Sequence, residues 1–171
     1  KSSTGMAAKF LFDVPSGGLI EAVYISDGKR RTACLSSQIG CPLDCKFCAT
    51  GKMGFFSNLT AAQIVDQLLQ LQRYADGQGE RVSNIVMMGM GEPLLNYEQV
   101  TLALRIIRSQ ESGIGGRRIT VSTAGYVPGI RRLAREDEIN VGLAISLNAT
   151  TDETRTRLMP INRKFPISEL M

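Results

Sequence analysis

Apolar runs of strand length alternate along this chain with amphipathic runs of helix length, and few architectures accept that order. Residues 31–36, 84–88, 118–122 and 141–146 read as strands. Between and after them, apolar residues fall at helical spacing: Ile64, Val65, Leu68, Leu69 and Leu71 up to about Tyr74 behind a Thr60 cap, then residues 97–108, 127–135 and 152–158. Strands roughly thirty residues apart and separated by helices pair in parallel, with the helices packed outside and both sheet faces expected to be covered. The predicted class is therefore α/β with four βα units. Upstream, residues 9–14 and 19–25 flank the turn signals PSGG and SDGK and read as a short hairpin entering the main sheet.

Folds of this kind build their sites at the C-terminal ends of the strands. Each predicted strand is followed at once by a stretch with chemical potential. The first is residues 40–51, GCPLDCKFCATG, with Cys41, Cys45 and Cys48 spaced C-x3-C-x2-C. That spacing is too tight for scattered core thiols. Three thiolates from one loop can hold three irons of a cubane and leave the fourth open to a small molecule. A zinc knuckle with Cys34 as fourth ligand would use the same thiols. Zinc sites favour paired C-x2-C units, however, and the chain has no histidine. The second stretch, Gly89-Met-Gly-Glu-Pro, carries Glu92 on a turn whose glycines let the backbone approach a ligand closely. Glu92 can accept from an ammonium there or cap the following helix. Ser122, Ser146 and Asn148 complete the set, as ligand contacts or as turn residues.

At 171 residues and 43% hydrophobic, the chain suits a single core. Its net charge of +4 is compatible with a nucleic-acid partner without requiring one. No apolar run approaches a membrane span, and residues 1–10 lack a signal-peptide core. A reducing cytoplasmic setting and a monomer are expected, and four cysteines with three in one loop do not make a disulfide framework. The start at Lys1 and the end at Met171, where PISELM begins to read as a new helix, suggest a piece of a longer protein.

With Phe47 just before its last cysteine, the C-x3-C-x2-C loop resembles the signature of radical S-adenosylmethionine (SAM) enzymes. The resemblance implies a partial (β/α) TIM-like barrel with about four of six βα units: residues 1–30 would be an N-terminal β extension and residues 31–171 a core truncated at its C-terminal end. It implies one 4Fe-4S cluster on Cys41, Cys45 and Cys48, with SAM chelated at the open iron and cleaved reductively to a 5'-deoxyadenosyl radical. Gly91 and Glu92 would receive the amino end of SAM, Phe47 would lie near its adenine, and a donor such as flavodoxin or ferredoxin would supply the electron.

Longer runs narrow the resemblance. TACLSSQIGC from Thr32, ATGKMGFF from Ala49, NLT from Asn58, VMMGMGEPLLN from Val86, VSTAG from Val121 and MPINRKFP from Met159 resemble the RlmN/Cfr family of RNA methyltransferases, over about residues 19–166. This implies methylation of C2 of an adenine in 23S rRNA, near the peptidyl-transferase centre, and in tRNA; Cfr-type members methylate C8 of the same base. The family carries the methyl group on a cysteine, forms a covalent adduct with RNA, and releases it by proton abstraction and disulfide formation. By position, Cys34 matches the resolving cysteine and Glu21 the proton acceptor. On residue type alone, Cys34 reads as a buried small hydrophobe, and Glu21 as an outward-facing strand residue or as a carboxylate whose pKa an apolar strand raises. Ser122, Ser146, Leu147 and Asn148 match SAM-contacting positions; some relatives carry histidine where this chain has Asn148. The methyl-carrying cysteine lies further downstream in the family and all four cysteines here are already assigned, so the chain alone is expected to bind cluster and SAM without completing the transfer. Basic residues at 29–31, 117–118, 131–132, 135, 155, 157 and 163–164 could line an RNA backbone or be ordinary solvated faces. A non-catalytic zinc module that binds RNA is the alternative from another class.

Overall fold

The computed structural model describes residues 6–15, 17–109 and 113–171. Residues 1–5 of the expected N-terminal extension and Ser16 of the PSGG turn lie outside them. Strands β1 (Ala7–Asp13), β2 (Leu19–Asp27) and β3 (Arg30–Cys34) form an antiparallel meander. The expected hairpin is thus its first two strands, and the SDGK turn, with Gly28 at φ 50°, delivers the third. After β3 the chain leaves the sheet. Strand β4 (Gln38–Gly40) pairs antiparallel with β5 (Phe55–Asn58), and the short helix α1 (Ala49–Lys52) lies in the loop between them.

The predicted alternation then follows. Helix α2 (Ala61–Asp76) starts at Thr60 in a capping box: Thr60 Oγ1 accepts from the Gln63 backbone and Gln63 Oε1 accepts from the Thr60 backbone. Next come β6 (Asn84–Met87), a 3-10 turn (Pro93–Asn96), α3 (Tyr97–Ser109), β7 (Ile119–Thr123), α4 (Val127–Leu133), β8 (Gly142–Ile145) and α5 (Asp152–Leu158). A further 3-10 turn (Pro160–Arg163) and α6 (Ile167–Leu170) follow. The sheet order is β1-β2-β3-β6-β7-β8, and β3, β6, β7 and β8 run parallel. The architecture is mixed α/β with four parallel strands, as predicted.

The two sheet faces differ. Ile20, Ala22, Tyr24, Ala33, Ile85, Met87, Ile119 and Val121 alternate onto one face and are buried beneath Ile64, Leu68 and Leu71 of α2 and Ala103, Leu104 and Ile107 of α3. Each large apolar side chain sealed there contributes about 1.5–3 kcal/mol. Registered on the opposite face are Glu21, Val23, Cys34, Val86, Thr120, Ser122 and Ala144, all half-buried except Cys34. The expectation that both faces are covered therefore holds for one face only, because the sheet stays open between its edges β1 and β8. At β8 even the helix side is bare, with Leu143 and Ile145 exposed.

Candidate functional site

The cysteine loop is folded by its own backbone. Cys41 N–H donates to the Gly54 carbonyl (2.8 Å) and Cys48 N–H to the Cys45 carbonyl (3.0 Å). Gly40, at φ 74°, lets β4 meet that return: a Cβ there would stand 1.9 Å from the Gly54 oxygen. Lys46 N–H donates to the Leu158 carbonyl (2.8 Å), which docks the loop on the end of α5. Cys45 packs against Met159 and Ile161, and Cys48 forms the N-cap of α1. Burial pushes the Cys41 thiol up. Burial, with Cys41 and Cys48 close by, pushes Cys45 up to about 11.

All three thiols border one cavity of about 330 Å³ at the C-terminal ends of the parallel strands. Phe47, Gly91, Glu92, Ser122 and Ser146 line it too, as do Met88, Thr123 and Met159, which carried no expectation. A larger hollow of about 500 Å³ lies between the start of α3 and α4; it has no cysteine, and the Glu98–Arg132 ion pair belongs to its lining.

Glu92 is 3% exposed and held on both carboxylate oxygens. Oε1 accepts from Leu94 N–H (3.2 Å), capping the 3-10 turn, and Oε2 from Ala124 N–H (2.7 Å), bridging to the end of β7; the Thr123 side chain also hydrogen-bonds it. Burial raises its pKa and those bonds pull it back. The two glycines before it border the cavity and also admit the chain's own backbone. A Cβ at Gly89 would lie 2.6 Å from Ser36 Oγ, and one at Gly91 2.5 Å from Gln38 Cβ, so the backbone they admit is that of residues 35–38. That segment is fixed by buried amides: Gln38 Oε1 accepts from Glu92 N–H, Gln67 bonds both backbone groups of Ser36, and Asn96 Nδ2 donates to Ser37 and Leu59.

Leu147 and Asn148 lie beside the cavity and do not line it. The Leu147 carbonyl accepts from Arg155, and Asn148, in the left-handed region at φ 55°, donates from Nδ2 to the Met159 sulfur (3.3 Å). Cys34 and Glu21 also lie outside the lining. The Cys34 sulfur accepts from the Met88 backbone, one step behind the cavity wall, and burial raises its pKa. Glu21 sits as the outward-facing strand residue, one of its two readings. Its side chain is 43% exposed and pairs with Lys9 of β1 at 3.0 Å.

Arg155 corrects the reading of the basic residues as a possible rim. It is 0% exposed, and its guanidinium donates to the carbonyls of Ala124 (2.6 Å), Leu147 (3.1 Å) and Ser146 (3.5 Å) and to Asn162 Oδ1 (2.6 Å). Asn162, also buried, donates in turn to Asp152 and Thr156. Among the described residues Arg155 has no ion-pair partner.

Three soft thiol donors on one polar-ended cavity suit an iron–sulfur cluster. Among the described residues no three Cys, Asp or Glu side chains are gathered closely enough for a single metal ion. A zinc knuckle needs all its sulfurs about 2.3 Å from one ion, whereas a cubane spreads them over separate irons. No helix among the described residues is long and apolar enough to cross a membrane.

Comparison with known proteins agrees with this donor set. The family model "Radical SAM superfamily" matches residues 35–171. The dual-specificity RNA methyltransferase RlmN of Syntrophobacter fumaroxidans is 52% identical over 165 residues, covering 96% of this chain and 47% of that protein. The RlmN protein of Alcanivorax borkumensis is 47% identical over 168 residues, covering 95% and 44%. The crystal structure of a radical SAM methyltransferase from Sphaerobacter thermophilus superposes with a TM-score of 0.94 at 48% identity, covering 99% of this chain and 50% of that one. The chain thus spans about half the length of these relatives, and by its cysteine loop, its parallel sheet and the matched family model it belongs to the radical SAM superfamily.

Proposed function

We propose that this chain is the cluster- and SAM-binding part of an RNA methyltransferase that modifies C2 of an adenine in 23S rRNA and in tRNA. The observation that carries the reading is the convergence of Cys41, Cys45 and Cys48 with Glu92, Ser122 and Ser146 on one cavity. A 4Fe-4S cluster on the three thiolates would supply an open iron and the electron for reductive cleavage of SAM.

The chain's own residues would orient that cofactor. Glu92 is fixed by Leu94 and Ala124, so its remaining acceptor capacity and the Gly91–Glu92 backbone would meet the amino end of SAM without rearrangement. Ser122 and Ser146 would offer hydroxyls from two strand ends, and Leu147 and Asn148 would shape the wall behind Met159. Phe47, at the mouth and 56% exposed, would close over the adenine. Cys34 and Glu21 lie on the same sheet face as Ser122, and in the complete enzyme Cys34 would resolve the adduct while Glu21 removed the base proton. Glu21 would have to release Lys9 to do so. The methyl-carrying cysteine would come from outside these 171 residues. The electron would come from a flavodoxin or ferredoxin, in a reducing cytoplasm and with the enzyme as a monomer.

The test has two stages. The reconstituted chain, reduced with dithionite, should convert SAM to 5'-deoxyadenosine and methionine; absence of both from a protein that holds its cluster would refute the cofactor assignment. The full-length enzyme should then yield 2-methyladenosine, and 8-methyladenosine would move it to the Cfr type. In that enzyme Cys34→Ala should keep its iron and cleave SAM yet trap protein on RNA, because no thiolate remains to displace the bridging cysteine. Normal turnover would leave Cys34 as an ordinary buried thiol.

A further inference from the structure

Arg155 is a fully buried cation without a carboxylate partner among the described residues, an arrangement that several kcal/mol of desolvation oppose unless an anion or many acceptors compensate. Its acceptors are neutral. The Ala124 carbonyl follows β7, the Ser146 and Leu147 carbonyls follow β8, and Asn162 supplies the fourth. Gly125 leaves room for this crossing, since a Cβ there would stand 3.0 Å from Arg155 Nη2. The same helix holds the cysteine loop through the Leu158 carbonyl and Lys46 N–H, and Cys45 packs against Met159, whose N–H donates to the Arg155 carbonyl (2.7 Å).

We propose that Arg155 is a positioning residue with two effects: it clamps the ends of β7 and β8 at a fixed spacing, and it places a positive charge without a direct ion-pair partner behind Cys45 that favours the reduced, more anionic state of the bound cluster. The proposal rests on the cluster reading above. An oxidised cubane with three thiolates carries about one net negative charge and the reduced form about two. A fixed cation on that side of the loop therefore stabilises the reduced form more, and the midpoint potential rises. No coordination bond is involved, so the effect is electrostatic and separable from cluster assembly.

The experiment is a dithionite titration of the reconstituted chain, followed by electron paramagnetic resonance without SAM. Arg155→Gln is expected to lower the reduction equilibrium constant by about tenfold, a shift of about 59 mV to more negative potential for one electron. Arg155→Lys keeps the charge and should stay near the wild-type potential, while its looser hold on the three carbonyls weakens SAM binding several-fold. Should Arg155→Gln fail to load iron, Asp152→Asn decides in its place. It removes the exposed carboxylate that offsets Arg155, and should move the potential the other way. An unmoved potential in either loaded variant overturns the electrostatic role; unchanged SAM affinity in Arg155→Lys overturns the clamp. A wild-type chain that takes up no cluster would instead fail the functional reading, so the two failures are distinguishable.

Discussion

The two ends of the parallel sheet handle charge in opposite ways. At the N-terminal ends of β3 and β6, Glu80 accepts from Arg31 (2.5 Å) and from Tyr24 Oη (2.5 Å), so cation and anion pair directly. The bonds from Arg31 and Tyr24 hold the Glu80 carboxyl below its ordinary range. At the C-terminal ends, Glu92 and Arg155 are buried and held by backbone groups, Glu92 by N–H donors and Arg155 by carbonyls. Desolvation dominates both, raising the Glu92 pKa and lowering that of Arg155. A sheet edge needing only stability pairs its charges, as the lower end does. At the upper end Glu92 lines the cavity and Arg155 lies behind it without a direct pair between them, which suits a site that is to receive charged groups.

The largest expected effect is loss of the cluster itself. Cys41→Ala, Cys45→Ala and Cys48→Ala should each abolish iron binding, since three ligands are the minimum that leaves one iron open. Wild-type iron content in all three variants would remove the distinction between the two ends. Next is Arg155→Ala, which removes four hydrogen bonds and opens a void. Unfolding of the apo protein in urea should show a loss of about 3 kcal/mol. Stability equal to wild type would mean that the carbonyls find other partners and the clamp is redundant.

Glu92→Gln ranks third. An amide cannot accept from both Leu94 and Ala124 with its two ends, so stability should fall by about 1–2 kcal/mol. SAM binding to the reconstituted protein should weaken by about 1.5–3 kcal/mol, the worth of a hydrogen bond to a charged group. An unchanged dissociation constant would reduce Glu92 to a cap of the 3-10 turn.

The strand–helix alternation is legible because it rests on periodicity, and α5 spans the predicted residues 152–158. The cysteine loop is legible because spacing alone carries it. Arg155 is not: an arginine on a short polar helix reads as solvated, and the groups that bury it are backbone carbonyls after β7 and β8, which leave no side-chain pattern. Gly89 and Gly91 announce a close approach without saying to what, and here the neighbour is the chain's own residues 35–38. The Lys9 partner of Glu21 is not legible, because only the antiparallel register of β1 brings it within reach.

The smallest effect belongs to the lower end. The lowered pKa of Glu80 means that its contribution is present above the ordinary carboxylate value of 4.5 and is lost as pH falls through the folded value. Glu80→Gln should therefore leave the cavity and iron binding untouched and flatten the acid limb of a stability profile below about pH 4.5. An acid limb identical to wild type would show that the Arg31–Glu80–Tyr24 group is incidental to stability.

Anaerobic reconstitution with iron and sulfide, followed by metal analysis, tests most directly whether the upper end is built around a cluster. The expected product is brown, absorbs broadly across the visible range, and holds about four iron and four sulfide per chain. A colourless protein that takes up one zinc and no sulfide would contradict the account.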